Sequence, residues 1–258
     1  MSPYALFTRR TEGGLVARKV CSIFVLIFGC LRKGAIMLSG KVSAAWAGAM
    51  GFDTAVPLTV PSARAYFDRG YRFCVRYISR TDKSRANNAQ RGLADLSETE
   101  GRLILDAGLA LMAVQHVAGT GWIPDATLGE AYGAKAVAYS RAAGLPEGVN
   151  VWLDLEDIPK TIPHGDICAY ANSWFAQVKA AGYVPGVYVG FNVWLSPDDL
   201  FFNLATQHYW RAGGKIPEVA HRGYQLFQHV VKTGPQSELD QNLAKPDALG
   251  GSAIWLAP

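Results

Sequence analysis

Short apolar runs alternate with helical patterns along the chain from Ala49 to the C-terminus. The first run ends at Gly51-Phe52-Asp53, and six more predicted strands cover residues 73–78, 109–117, 150–155, 184–189, 207–211 and 224–228. Because strands that alternate with helices are typical of crossover connections, this pattern predicts a parallel sheet covered by helices.

Helix start and stop residues separate these strands. Ser62 lies near the start of a helix that Gly70 ends, and residues 96–100 open a second helix that ends at Gly108. Helices predicted over residues 127–143 and 162–181 are each followed by glycine, which is common just after a helix. Residues 79–94 are polar and are predicted to form a surface loop.

Seven strands are clear, and an eighth is expected near Val219. This number of strands predicts an α/β fold, a single (β/α)8 barrel of the TIM type near the lower end of its size range. A doubly wound open sheet is the alternative, but the Gly-rich phosphate loop that often follows its first strand is missing. We therefore divide the chain into an N-terminal apolar and basic segment, residues 1–48, and a barrel domain, residues 49–258.

An apolar run of about a dozen residues, 20–31, lies between two basic pairs in the N-terminal segment. A membrane span needs ~20 residues, whereas the core of a signal peptide is about this long. The tetrapeptide Ile27-Phe28-Gly29-Cys30 resembles a bacterial lipobox, so we expect export or attachment to the cell envelope, with Cys30 as the candidate lipidation site. A translation start at Met37 and a cytosolic apolar arm are the alternatives, and a phage-encoded protein would be cytoplasmic before release.

The charge distribution argues against a nucleic-acid partner. The chain has 25 basic and 21 acidic residues, and its net charge of +4 taken alone would suggest an anionic partner. However, residues 1–50 contain seven of the basic residues and one acid, which leaves 18 basic and 20 acidic residues in the body. The four cysteines show no spacing that binds zinc, so we expect no metal and no cofactor.

Three carboxylates come at the ends of predicted strands. Asp53 closes the first strand, and Asp154 and Glu156 close the fourth, two residues apart and therefore on one face. Active sites of such barrels lie at these strand ends. Mutual repulsion keeps one buried carboxyl protonated and leaves its neighbour ionised, which are the two states that glycosidic cleavage needs. Helix capping is the alternative role, and it suits Asp157 better than Asp154.

Polar and aromatic residues near the strand ends are candidates for binding a sugar, because aromatic rings stack on sugar faces beside a few polar contacts. Core packing is the alternative for each of them. The candidates are Arg76, Tyr77, Gln115, His116, Tyr188, Trp210, Arg211 and Gln228.

A series of motifs in fixed order resembles the glycoside hydrolase family 25 muramidases and, more closely, a bacterial and phage group of glycoside-hydrolase-like barrels. The motifs are Gly51-Phe52-Asp53, Phe73-x-x-Arg76-Tyr77, Asp154-x-Glu156, the Tyr188-x-Gly190 segment, His208-Tyr209-Trp210-Arg211, and Gln225-Leu226-Phe227-Gln228 leading to Asp240-Gln241-Asn242.

The resemblance implies a role for each acid. Glu156 would be the general acid, Asp154 would stabilise the intermediate or orient the acetamido group of the substrate, and Asp53 and Asp240 would complete an acidic floor. Two departures from the muramidase pattern are an insertion at residues 235–238 and Phe227-Gln228 where tryptophan is common.

The expected function is a monomeric glycosidase that acts on peptidoglycan or a related amino-sugar polymer. A barrel that binds cell-wall glycan without cutting it is the rival hypothesis. A membrane-anchored structural protein is a third, which depends on lipidation of Cys30.

Overall fold

The computed structural model describes residues 37–119, 121–229 and 240–258. The predicted signal and lipidation sites therefore lie outside the described residues. Within them, the strands are β1 (Lys41–Ala44), β2 (Met50–Thr54), β3 (Phe73–Ile78), β4 (Ala110–Gln115), β5 (Asn150–Leu155), β6 (Val184–Val189), β7 (Tyr209–Arg211), β8 (Leu226–His229), β9 (Asp240–Ala244) and β10 (Ile254–Ala257).

Eight of these strands, β2 to β9, form a closed barrel. Strands β2 to β8 pair in order and in parallel, and β9 pairs with both β8 and β2 to close the ring. All residues of β4 and β5 are buried, which explains their continuous apolar sequences, because a strand between the barrel interior and a helical layer has no solvent face. The predicted α/β barrel is confirmed.

The helices lie between successive strands. They are α1 (Val60–Asp68), α2 (Asp82–Gln90), α3 (Glu98–Asp106), α4 (Ala126–Ala142) and α5 (His164–Ala180), and a short π-helical turn covers Asp199–Asn203. Four of the helices begin where a side chain accepts a hydrogen bond from a free N–H of the first turn: Thr59 for α1, Thr81 for α2, Ser97 for α3 and Asp125 for α4.

The prediction of a surface loop over residues 79–94 is wrong, because α2 lies within this segment. No residue of α2 is buried, so the helix has no apolar face that a periodic pattern could reveal. Its start is nevertheless marked locally, since Thr81 and Ser84 form a reciprocal capping pair.

The eighth barrel strand is β9, and no strand lies near Val219. The expectation of an entirely parallel barrel is also corrected here, because β9 runs antiparallel to both of its neighbours. Only ten residues separate β8 from β9, whereas a parallel crossover needs a dozen or more.

Residues N-terminal to the expected domain boundary at residue 49 belong to the same folded unit as the barrel. Leu38 and Ala45 are buried, and β1 pairs antiparallel with β10, which in turn pairs with β4 through Leu256 and Leu111. The indole of Trp46 contacts the buried Trp255 edge-on, with 4.7 Å between ring centroids.

Candidate active site at the barrel mouth

Four carboxyl groups meet at the carboxyl ends of the parallel strands, and we call Asp53, Asp154, Glu156 and Asp240 the acidic cluster. Asp53 and Asp240 are cross-strand partners on β2 and β9. Electrostatic repulsion links the members: Asp240 raises the pKa of Asp53 and of Glu156, and Glu156 raises the pKa of Asp154. The four acids therefore share one site.

Asp53 is buried at the floor of this site and accepts three hydrogen bonds. The Tyr77 hydroxyl donates to Oδ1 at 3.1 Å, and the side-chain amides of Gln228 and Asn242 donate to Oδ2 at 3.0 and 2.7 Å. Burial raises the pKa of Asp53 to about 7, against the lowering effect of these donors. The carboxyl is therefore close to half-protonated at neutral pH.

Two aromatic residues fix the orientation of the amides that contact Asp53. The Tyr188 hydroxyl donates to Gln228 Oε1 at 2.8 Å, and the Trp210 indole N–H donates to Asn242 Oδ1 at 2.8 Å. Because each amide oxygen is engaged in this way, the amide nitrogens of Gln228 and Asn242 point toward Asp53. Gln228 also donates to Asp240 Oδ2 at 3.2 Å, so one amide joins two of the acids.

Asp154 is a buried member of the acidic cluster, and its pKa is raised. Its Oδ2 accepts from the Val117 backbone N–H at 3.2 Å, while its Oδ1 is buried and has no hydrogen-bond partner among the described residues. Burial, the neighbouring Glu156 carboxyl and Asp53 raise the pKa of Asp154 well above its usual range. Asp154 therefore holds its proton to a higher pH than an exposed aspartate does, and its Oδ1 is free for another group.

Glu156 follows the last residue of β5 and is only half-buried, so its carboxyl reaches solvent. It lies directly against Gly190, where a Cβ would overlap the Glu156 Cβ and Oε2. Burial and the charges of Asp157 and Asp240 raise the pKa of Glu156, and a hydrogen bond from the Phe191 backbone N–H opposes them. The Trp122 indole anchors the backbone by donating to the Glu156 carbonyl at 2.9 Å.

The cluster is therefore a proton-holding site. Burial also raises the pKa of Asp240, so each of the four acids binds its proton more tightly than in water. Over the described ranges, no group of His, Cys, Asp and Glu side chains has an arrangement that could hold a metal ion. A half-buried carboxyl with a raised pKa can donate a proton to a ligand at the mouth.

Five of the residues predicted to bind substrate contact the acidic cluster or the side chains that hold it. Asp240 belongs to the cluster, Tyr77 and Gln228 bond to Asp53, and Tyr188 and Trp210 orient the two amides. Tyr188 and Trp210 also contact each other edge-on, with 4.7 Å between ring centroids.

Three further candidates, Arg76, Gln115 and Arg211, lie on the outer face of the barrel. Arg76 is fully buried and pairs with Glu100 at 2.6 Å. Gln115 bonds to Ser79, Tyr132 and Trp174 on the helical side, and Arg211 bonds to the carbonyls of residues 212 and 214. Adjacent strand residues face opposite ways, so Arg76 and Arg211 cannot share a face with Tyr77 and Trp210. The structure does not bring these three to the site.

His116 lies at the edge of the site rather than within the cluster. Its ring is 4.4 Å from that of Tyr77, and its Nε2 is buried without a partner among the described residues. Burial and the charges of Arg80, Arg76 and Arg91 lower its pKa to about 4, so the imidazole is neutral at pH 7.

Sequence reasoning left three residues of the site without a role. Asn242 bonds to Asp53, Gly190 makes room for Glu156, and Trp122 anchors the backbone of Glu156. Asn242 could have been predicted from the sequence, because it lies two residues from Asp240 on the same strand face. Contacts of Gly190 and Trp122 depend on loop packing, which spacing along the chain does not reveal.

A second cavity of about 540 Å³ opens near the amino ends of the strands, lined by the start of β6 and by residues that precede β7. Lys179 and Arg222 give it a basic wall. It contains none of the acidic cluster, so the carboxylate chemistry of the chain belongs to the other end of the barrel.

A closed barrel with paired carboxylates at the carboxyl ends of its strands defines a glycoside-hydrolase-like domain. The family model described as "Rv2525c-like, glycoside hydrolase-like domain" matches residues 64–244, which is most of the chain. The chain belongs to this family. No match was found among curated proteins.

Solved structures share the fold at low sequence identity. The Tat-secreted protein Rv2525c of Mycobacterium tuberculosis, solved with L-tartrate, is 18% identical, with a TM-score of 0.57 over 76% of this chain and 95% of that one. An uncharacterized protein of B. stearothermophilus is 18% identical, with a TM-score of 0.54 over 77% and 96% of the two chains. The spore cortex lytic enzyme SleM of Clostridium perfringens is 9% identical, with a TM-score of 0.51 over 77% and 67%.

No helix in the described part of the chain combines the length and the apolar character that crossing a membrane requires.

Proposed function

We propose that the chain is a glycosidase that cleaves peptidoglycan or a related amino-sugar polymer at the acidic cluster. One observation carries the proposal: Glu156, half-buried and with a raised pKa, stands at the mouth beside the fully buried Asp154. This arrangement supplies a proton donor where a polymer can reach it, above a floor of carboxyls with raised pKa values.

Glu156 acts as the general acid. Its proton passes to the glycosidic oxygen as the bond between that oxygen and the anomeric carbon breaks, and the electron pair of the bond stays with the leaving oxygen. Repulsion from Asp157 and Asp240 supports this role, because it holds the proton on Glu156 at a pH where an exposed glutamate is ionised. The Glu156 carboxylate then accepts a proton from the water that attacks the anomeric carbon.

Asp154 orients the substrate. Its unpartnered Oδ1 is a buried acceptor that the N–H of an acetamido group can satisfy, and a sugar without that group leaves the oxygen unpaired. The ionised form of Asp154 stabilises the positive charge that develops at the anomeric carbon. Asp53 and its three donors support the floor on which the sugar ring rests.

Cell-wall glycan is the favoured polymer for two reasons. An acetamido sugar matches the free oxygen of Asp154, and one structural neighbour is a lytic enzyme of the spore cortex. We place the protein in the cell envelope as a monomer, a location that the Tat-secreted neighbour supports.

Release of reducing ends tests the proposal. The full chain is incubated with purified peptidoglycan and with chitin, and reducing ends and pelleted protein are measured together. Reducing ends released from peptidoglycan support a glycosidase. Binding to the pellet without release from either polymer overturns it in favour of a barrel that binds cell-wall glycan without cutting it.

A further inference from the structure

Two segments of the mouth are joined into one rim beside Glu156. The segment after β5, residues 156–160, pairs with the segment after β6, residues 190–194, through backbone hydrogen bonds. Asp157 N–H donates to the Phe191 carbonyl at 2.9 Å, and Ile158 N–H donates to the Asn192 carbonyl at 3.3 Å. Any ligand bound on this rim therefore lies next to the general acid of the proposed function.

The rim holds backbone conformations that side chains rarely adopt. Asp157, Asn192 and Trp194 have φ angles of 55°, 57° and 57°, and they account for three of the four non-glycine residues with positive φ in the described ranges. A left-handed conformation costs free energy, most of all for a bulky residue such as Trp194. Strain concentrated in this way is characteristic of binding sites, where it fixes the direction of a side chain.

Trp194 offers an aromatic face rather than a hydrogen bond. Its indole N–H is already engaged with the Ile158 carbonyl at 2.7 Å, while 37% of the side chain is exposed. Phe191, next to Glu156 in space, is also exposed. Aromatic surface of this kind binds the C–H face of a pyranose ring.

Lys160 adds a positive charge to this surface. Its Nζ lies 5.4 Å from the centroid of the Trp194 ring, and its side chain is exposed. The carboxyl groups of the acidic cluster do not attract a carboxylate, whereas Lys160 attracts one at the rim. A sugar with a carboxylate substituent therefore fits the mouth in one orientation, with that substituent outward.

We propose that Trp194 and Lys160 form a subsite for a carboxylate-bearing sugar, in which the indole stacks on the ring and the ammonium pairs with the carboxylate. This inference rests on the proposed function and narrows its substrate class. Acidic glycans, such as the strands of peptidoglycan, are preferred to neutral chitin.

Binding to two matched probes tests the subsite. Soluble peptidoglycan strand fragments and chitin oligosaccharides of equal length are titrated into the full chain carrying Glu156→Gln, which keeps the probes intact. Lys160→Gln is expected to weaken binding of the peptidoglycan fragments about 3- to 5-fold, as for an exposed ion pair. Binding of the chitin fragments should stay within about 2-fold.

Trp194→Ala is expected to weaken binding of both probes about 10-fold, and Trp194→Phe should restore most of it. Lys179→Gln, an exposed lysine in the wall of the other cavity, is the control and should bind both probes like the parent. Thermal unfolding of each variant separates lost contacts from lost fold.

Equal weakening of both probes by Lys160→Gln, or unchanged peptidoglycan affinity, overturns the carboxylate subsite. Failure of the proposed function gives a different result. If the wild type releases no reducing ends, but Lys160→Gln still weakens binding of the peptidoglycan fragments alone, the hydrolase is ruled out and the subsite is supported.

Discussion

Glu156 and Gly190 are in direct contact where β5 and β6 end side by side. The strands are paired in register through Leu155 and Val189, so the next residue of each strand shares the same small space. Gly190 has no side chain, and the Glu156 carboxyl fills the position that a Cβ would occupy. The general acid of the proposed reaction is therefore positioned by the absence of an atom on the neighbouring strand.

Gly190→Ala is expected to displace the Glu156 carboxyl and to reduce the rate of glycan cleavage about 10²-fold, because a misplacement of about 1 Å has that cost. Reducing-end release measures the rate. Gly165→Ala is the matched control, since a Cβ there meets no atom within 4 Å. Full activity of Gly190→Ala with an unchanged fold would contradict the proposed position of the acid.

The pKa of Asp53 predicts how stability depends on pH. Its folded-state pKa of about 7 lies above the ordinary aspartate pKa of 3.8, so the folded protein holds this proton more tightly than the unfolded chain. The contribution of Asp53 to the free energy of unfolding should therefore fall as the pH rises from about 4 to about 7, by at most about 4 kcal/mol.

Asp53→Asn should make that fall smaller, because the amide does not ionise. Denaturant unfolding at pH 4, 5.5 and 7 measures the effect, with the exposed Asp106→Asn as control. A pH dependence of stability in Asp53→Asn that is identical to that of the wild type would show that Asp53 is not held protonated.

Arg76 is expected to stabilise the fold rather than to bind substrate. Its guanidinium contacts Glu100 and the carbonyls of Thr54 and Ala94, and Glu100 also accepts from the Leu58 N–H at 2.7 Å. Arg76→Met leaves the Glu100 carboxylate buried without its partner, so the free energy of unfolding should fall by about 3–5 kcal/mol.

The double variant Arg76→Met with Glu100→Gln should recover part of that loss, because no charge is then left unpaired. Arg102→Met, which breaks the exposed pair with Glu98, should change stability by about 1 kcal/mol or less. Weakened glycan binding by Arg76→Met in a protein of undiminished stability would restore Arg76 as a substrate residue.

The buried parallel strands could be predicted closely from the sequence. Strands β3, β5 and β6 have the predicted bounds, because a strand buried on both faces is a continuous apolar run with abrupt polar ends. Helix α2 and strand β9 could not be found in the same way. The first has no buried face, and the second owes its place to pairing with β2 and β8 rather than to its own composition.

The sequence predicts a residue of the candidate site where its spacing along one strand is sufficient to place it. Asp154 shows this, because it ends an apolar strand and its face follows from alternation with Leu153 and Leu155. The same alternation places Arg76 and Tyr77 on opposite faces of their strand, so the two cannot both be substrate residues inside the barrel. Both are candidates in the sequence only because polar residues near strand ends can bind a sugar. The partners of Asp53 come from β3, β8 and β9, up to 189 residues away, so only the closed barrel brings them together.

Reducing-end release by Glu156→Gln tests the central claim most directly. Purified peptidoglycan is incubated with the wild type, with Glu156→Gln and with Glu130→Gln, an exposed glutamate on α4, after their thermal unfolding has been shown to match. The wild type and Glu130→Gln should release reducing ends at equal rates, and Glu156→Gln should be slower by at least about 10²-fold, the usual contribution of a general acid. Equal rates in all three proteins would contradict the assignment of Glu156 as the acid.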